Sequence, residues 1–267
     1  VSTQPWSIDR ILELRFREHR QQTESHFVEG VRFLVSAVDA GCTIRSLVVA
    51  PAMLHSPLGQ TVVRRLRRQG IPTLLVTCDE FRRVSRAETP QGVGVVLAQR
   101  WETIDKVAPA PRDCWVAVGE VRSQGNLGTL MRSAAACGAT GIIVPRSGAA
   151  DPYDPSAARA AMGALASMRI VKADPSEIRA WKLRMGLTVV GATPAAVTDY
   201  RAISYRRPVV LMLGSERKGL TSTQLALCDA QVRIPMSAGD SLNLAVAGSV
   251  LLYEVWNQRH PVHRDRA

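Results

Sequence analysis

The sequence predicts an α/β protein in two parts, a small α/β domain followed by a larger one built on a parallel sheet. Near-continuous apolar runs at 114–121, 141–145, 187–193 and 209–213 alternate with helical patterns, as strands buried on both faces do. A weaker alternation of the same kind fills the first hundred residues. Between the two lies 101–113 (WETIDKVAPAPRD), rich in proline and alanine, which reads as a linker. The expected boundaries are therefore 1–100, 101–113 and 114–267. A chain of 267 residues fits two domains better than one, at roughly 100–200 residues each.

Residues 7–20 place Ile8, Ile11 and Leu12 at helical spacing, with Arg10, Glu13 and Arg17 on other faces. The stretch 27–40 reads as a second amphipathic helix, ended by Gly41 at the position of a C-terminal cap. Strands follow at 44–49, 73–77 and 93–98, with an arginine-rich helix over 60–69 between the first two. In the second part, further strands are expected at 168–172 and 231–235, and helices at 127–137, 155–166, 175–185 and 241–258. Asp154 followed by Pro155 is a typical N-cap and first helical position. On helix 127–137, Leu127, Leu130, Met131, Ala134 and Ala135 form one stripe that would face the sheet, and Arg132 lies off it. The last helix is apolar nearly all round, from Leu242 and Leu244 to Tyr253 and Trp256. That pattern fits a subunit interface or burial within one chain.

Charge narrows the partners. Lys and Arg number 34 against 23 Asp and Glu, a net +11 that points to a polyanion. Arg10, Arg15, Arg17 and Arg20, then Arg64, Arg65, Arg67 and Arg68, then Arg82, Arg83 and Arg86 all fall in the first hundred residues. Solvated helix faces are the alternative explanation of the same pattern. Five scattered cysteines without a C-x-x-C exclude the usual zinc spacings and fit reduced thiols in a cytoplasmic protein. The five histidines lie in the first third or at the very end, which leaves none for a Ser–His–Asp hydrolase or a His-ligated metal enzyme. No apolar run approaches the ~18 residues of a membrane span, and the polar, charged N-terminus does not read as a signal peptide.

Three segments carry the chemistry, each at the carboxyl end of a predicted strand, where open α/β sheets bind ligands. They are GNLGTLMR (125–132), LGSERKGL (213–220) and RIPMSAGDSLNLAVA (233–247). Generic motifs fail here. Lys218 precedes Gly219 and Leu220 follows it, so there is no P-loop, and neither G-x-G-x-x-G nor G-x-S-x-G occurs. In this order and spacing the three segments resemble the motifs of the SpoU (TrmH-like) family of RNA ribose 2′-O-methyltransferases. DPYDPSAARAAMGAL (151–165) is similar to that family's stretch between its first two motifs. FVEGVRFLVSAVDAG (27–41) and TPQGVGVVL (89–97) resemble the L30e-like substrate-binding domain that many members carry.

The resemblance implies a trefoil-knotted, SPOUT-type domain, S-adenosylmethionine as methyl donor, a homodimer through the knotted domain and its last helix, and a structured RNA as substrate. Ribosomal RNA is the first expectation and tRNA the second, with no membrane and no metal. Members include housekeeping enzymes and enzymes that protect ribosomes against antibiotics. Arg132 matches the family's catalytic arginine, proposed there as general base. A guanidinium stays protonated in proteins, so stabilising a forming alkoxide or gripping a phosphate suits it better. Asn126 and Glu216 match the asparagine of motif one and the glutamate of motif two, the latter expected to be buried and to accept from Arg132 or from backbone amides. Ser241 and Asn243 match motif three, with Ser241 the expected N-cap of the last helix. Thr193, Pro194, Leu213, Gly214, Ile234, Met236 and Leu242 are expected to line the cofactor pocket, Gly214 so that the backbone can approach the ligand. Arg15, Arg17, Arg20 and Arg122 are the expected RNA contacts. Many members have Asp-Pro just before the motif-one asparagine, where this chain has Arg122-Ser123-Gln124-Gly125. A rival of another class is a non-catalytic RNA-binding protein of the same fold.

Overall fold

The computed structural model describes residues 5–205, 207–239 and 241–261; His263 and the end of the expected second domain lie outside the described residues. Two compact units form, Val1–Gln99 with Tyr153–Ser167, and Arg100–Pro152 with Met168–Ala267.

The first unit begins with α1 (Ile8–Glu13) and α2 (Arg17–Thr23), a break in what the spacing predicts as one helix. Phe16 is extended at φ −93°, ψ 135°, which ends the helical run. The stretch 27–40 is also corrected. Its start belongs to β1 (Ser25–Glu29), and α3 (Val31–Asp39) begins only after Gly30, whose φ of 103° turns the chain. Next come β2 (Ile44–Val49), α4 (Pro57–Arg68), β3 (Thr73–Leu75), α5 (Cys78–Val84) and β4 (Val93–Ala98). The four strands make one sheet in the order β1-β4-β2-β3, with β1 antiparallel to β4. Its core gathers Ile11 and Leu14 with Val48, Phe81 and Val96.

The second unit opens inside the expected linker. Residues Glu102–Thr103 form β5 at the edge of the second sheet, and a 3₁₀ turn follows at Ile104–Lys106. Ile104 and Val107 are buried, and the Val107 carbonyl accepts from Trp181 Nε1 at 2.8 Å. Apolar residues that find a core are not linker residues. The chain continues through β6 (Cys114–Val118), α6 (Gln124–Ala136) and β7 (Gly141–Val144).

The helix expected over 155–166 is two pieces, α7 (Pro155–Ala161) and α8 (Ala164–Ser167), both in the first unit rather than the second. Alanines 157, 158 and 161 are buried, and Tyr153 packs on His26 of β1 with ring centroids 4.6 Å apart. Asp154 caps α7 as expected, accepting from Ser156 N at 2.8 Å.

Back in the second unit follow β8 (Arg169–Lys172), α9 (Pro175–Met185), β9 (Thr188–Ala192), β10 (Val209–Leu213), α10 (Ser222–Leu225), β11 (Ala230–Val232) and α11 (Leu244–Arg259). The sheet runs β11-β9-β10-β6-β7-β8-β5, and its pairings are parallel. Trp115 and Trp181 meet edge to face at 5.7 Å in its core. The chain reverses its direction of travel between β6 and β10, and the ends of these strands are where a crevice is expected.

Candidate active site

Three loops build the site. After β6 the chain runs through 119–123 into α6, whose N-cap is Ser123, its Oγ accepting from Asn126 N at 3.2 Å. This first turn holds Asn126 toward the neighbouring loop after β10. That second loop is a tight hairpin: Ser215 N donates to Gly219 O at 2.9 Å, and Gly219 N returns to Ser215 O at 3.0 Å. Gly214 is required here for a reason beyond the expected approach to a ligand. A Cβ on it would stand 2.1 Å from the Gly219 carbonyl carbon and 2.3 Å from Leu220 N, so the loop's own returning backbone fills that space. The third loop, 233–243, ends at Asn243.

Asn243, not Ser241, caps α11. Its Oδ1 accepts from the amides of Ala245 (2.8 Å) and Val246 (3.4 Å), and the helix begins at Leu244 rather than at 241. Asparagine ranks with serine as an N-cap, and one that also reaches a neighbour serves two purposes. Its Nδ2 donates to Asn126 Oδ1 at 3.1 Å, and Asn126 Nδ2 donates to Glu216 Oε1 at 2.5 Å. Glu216 Oε2 accepts from the amides of Arg122 and Ser123, both at 3.3 Å. One chain of hydrogen bonds thus ties all three loops. Glu216 is exposed rather than buried, and it accepts from Asn126 and these amides, not from Arg132. Position 216 lies at the turn of an exposed hairpin, so burial was not available to it.

Beside this network lies a cavity of about 450 Å³. Thr193, Pro194, Leu213, Gly214, Ile234, Met236 and Leu242 all line it, with Glu216 and Ser241. Leu213 and Gly214 are buried and Leu242 is 38% exposed, which sets the floor and the rim. Lys218 also lines it and was missed, although it stands inside the second motif, the one cation there with a flexible ammonium. Apolar walls, glycine-rich turns and a few polar groups make a pocket of the size that holds a nucleoside-bearing ligand.

Arg132 lies on the exposed side of α6, outside the cavity lining, with no hydrogen bond or ion pair among the described residues. Arg122 is exposed and pairs with Glu120 at 3.4 Å. Arg15 is half-buried and donates through Nη2 to Arg83 O at 2.5 Å, and Arg17 is half-buried on α2. Arg20 is a correction. It is 2% exposed, donates from Nη1 to the carbonyls of Leu14 and Arg15 at 2.9 Å, and faces Asp154 at 3.6 Å. A guanidinium that satisfies the carbonyls where α1 ends is a structural group, and RNA cannot reach it.

A model described as the SpoU rRNA Methylase family matches residues 113–253, more than half of the chain. The chain belongs to this family. A second model, the MRM3-like substrate binding domain, matches residues 7–94. Over 253 residues the chain is 31% identical to the 23S rRNA (uridine(2479)-2′-O)-methyltransferase of Streptomyces viridochromogenes, covering 91% of this chain and 86% of that one. The fold is similar to an AdoMet-bound rRNA methyltransferase from Sinorhizobium meliloti (TM-score 0.87, 33% identity, 96% and 95% of the two chains). It is also similar to the SpoU methyltransferase AviRb of Streptomyces viridochromogenes in complex with AdoMet (TM-score 0.85, 28% identity, 96% and 98%). In this SpoU family member Asn126 in the first turn of α6, Glu216 in the loop after β10 and Asn243 at the cap of α11 meet in one network.

Proposed function

We propose that this protein transfers a methyl group from S-adenosylmethionine to a ribose 2′-hydroxyl of 23S ribosomal RNA. The observation that carries the reading is the Glu216–Asn126–Asn243 network, whose Glu216 also lines the cavity formed by the residues that match the family's cofactor positions. The donor supplies an electrophilic methyl on a sulfonium. Leu213, Ile234, Met236 and Leu242 would hold its apolar parts, and Thr193 and Pro194 its base. The protein's own task is to align the hydroxyl and to stabilise negative charge on its oxygen as its proton passes to solvent water, so that the O–CH3 bond forms while the S–CH3 bond breaks to leave a neutral thioether. Arg132 is the group of choice for that charge, being cationic, long and without a partner among the described residues.

The same reading includes the knotted threading of the second unit, a cytoplasmic place of action and a homodimer. A groove of about 600 Å³ runs along α11, lined by Thr129, Tyr200 and Val246 with Tyr253 and Trp256. Val246 and Tyr253 are 49% and 56% exposed, an apolar face that a second copy would cover.

Incubation with methyl-labelled S-adenosylmethionine and bacterial 23S rRNA tests the proposal. Label should enter the RNA at one nucleotide and make its 3′ phosphodiester resistant to alkali. Label on a base, or label entering tRNA in a parallel incubation while the 23S rRNA stays unlabelled, would overturn the proposal.

A further inference from the structure

The first unit holds a cavity of about 230 Å³ beside β1 that the proposed methyl transfer does not use. Leu14, Phe27, Phe33, Ala158 and Met162 give it apolar walls from four different elements. Met162 stands at φ 52°, ψ −137°, a backbone state that side-chain-bearing residues rarely adopt. Such strain persists only where surrounding structure enforces it, and it concentrates at ligand clamps.

The polar part of the lining is specific. Glu29 Oε1 accepts from the amides of Arg86 (2.6 Å) and Ala87 (3.1 Å), while among the described residues Oε2 accepts only from the Ser85 hydroxyl (2.5 Å). One acceptor position on Oε2 is left over. Arg15, Arg86 and Arg159 line the same cavity, and Arg159 is braced by its bond to Arg86 O at 2.9 Å. The volume corresponds to about eight waters, enough for one flat ring system.

We propose that this cavity takes one unstacked nucleobase of the RNA substrate, a base carrying an exocyclic amino group. The ring would lie against Phe27 and Phe33, the amino group would donate to Glu29, and the arginines would meet the flanking phosphates. This rests on the RNA-methyltransferase reading. The chemistry is selective: an aliphatic ligand has no use for a carboxylate, and a bare anion is repelled by one. RNA recognition commonly splays a base onto aromatic side chains and reads its edge.

The test titrates the full chain, saturated with S-adenosylhomocysteine to fill the second unit's cavity, with CMP, AMP, GMP, UMP and ribose 5-phosphate. The methyl resonances of Met162 and Ala158 report binding. CMP, AMP and GMP should shift them, UMP should bind at least about tenfold more weakly, and ribose 5-phosphate should leave them unmoved. Equal responses to all five, or none to any, overturn the proposal. On a 23S rRNA fragment, Phe33→Ala and Glu29→Gln should each weaken affinity roughly tenfold while S-adenosylmethionine affinity is unaltered. Unchanged RNA affinity beside clear mononucleotide binding would make this a free-nucleotide site and overturn the RNA assignment. Failure of the unaltered protein to methylate any RNA would instead overturn the methyltransferase reading, and the titration would still decide what the cavity binds.

Discussion

Arg132 and Gly214 show how differently single residues can matter in one site. Arg132 is exposed and makes no side-chain hydrogen bond or ion pair among the described residues, so its removal should cost chemistry and little else. Arg132→Ala should abolish methyl transfer while cofactor affinity stays within a few-fold, a split that turnover assays and calorimetry together would read. Full turnover in that variant would remove it from the mechanism. Gly214 has the opposite profile. The 2.1 Å approach of Gly219 to its missing Cβ means that Gly214→Ala must open the hairpin that lines the cavity. Cofactor binding should then be lost although no reacting group has been touched, and titration with S-adenosylmethionine checks it. The exposure of Arg132 was legible in the sequence, because the helical period puts it off the apolar stripe, while its expected role came from the family resemblance. The reason for Gly214 was not legible, since the crowding atoms come from the returning strand of its own loop. Arg20 misled for a similar reason. Its partners, two carbonyls and the distant Asp154, are fixed only by the break after α1 and by the packing of α7.

At the scale of elements, caps decide where helices start. Thr77 and Glu80 close a capping box that opens α5, a T-x-x-E signature present in the sequence but not used there to place a helix. On α11 the choice between Ser241 and Asn243 could not be made from residue preference, because both are good caps. Asn243→Ala should cost about 1 kcal/mol through the cap and should also release Asn126, lowering activity beyond what the stability loss explains. Activity measured well below the melting temperature separates the two effects. The start of α9 makes a pH prediction. Glu177 accepts from the Arg146 guanidinium at 2.6 Å and 2.7 Å and from Asp174 N, and these bonds hold its pKa down at about 2 instead of the usual 4.5. A depressed carboxylate stabilises the folded state above the unfolded value and loses that effect as pH falls. Stability should therefore decline between pH 4.5 and about 2. Glu177→Gln should flatten that limb of the denaturation curve, and an unchanged slope would show that the ion pair contributes nothing.

For the whole molecule, charge and association set the expectations. With +11 net charge and an arginine-rich first unit, RNA affinity should fall by orders of magnitude between about 50 and about 200 mM salt, while cofactor affinity hardly changes. Binding isotherms at several salt concentrations give the slope, and a flat one would argue against phosphate contacts. The exposed Tyr253 and Trp256 on α11 predict that Trp256→Arg yields a monomer by analytical ultracentrifugation if this face is the subunit contact. At this scale the sequence was most and least informative at once. The parallel sheet was readable from its apolar runs, because strands buried on both faces leave no alternation. The assignment of 153–167 to the first unit was not readable, since an alanine-rich helix carries no mark of which sheet it will cover.

By itself, the sequence determined the class of fold, the order of most of its strands and helices and, through the family resemblance, the residues of three motifs. The fold class and those elements are properties of local pattern, where periodicity, turn residues and spacing suffice. Only the tertiary structure decided that Asn126, Glu216 and Asn243 share one hydrogen-bonded chain, that Arg20 is interior, that β5 extends the second sheet, and that Met162 is held in a strained turn beside a second cavity. Each of these depends on atoms distant along the chain meeting within hydrogen-bond or van der Waals range. That range is set by packing, which no local pattern encodes.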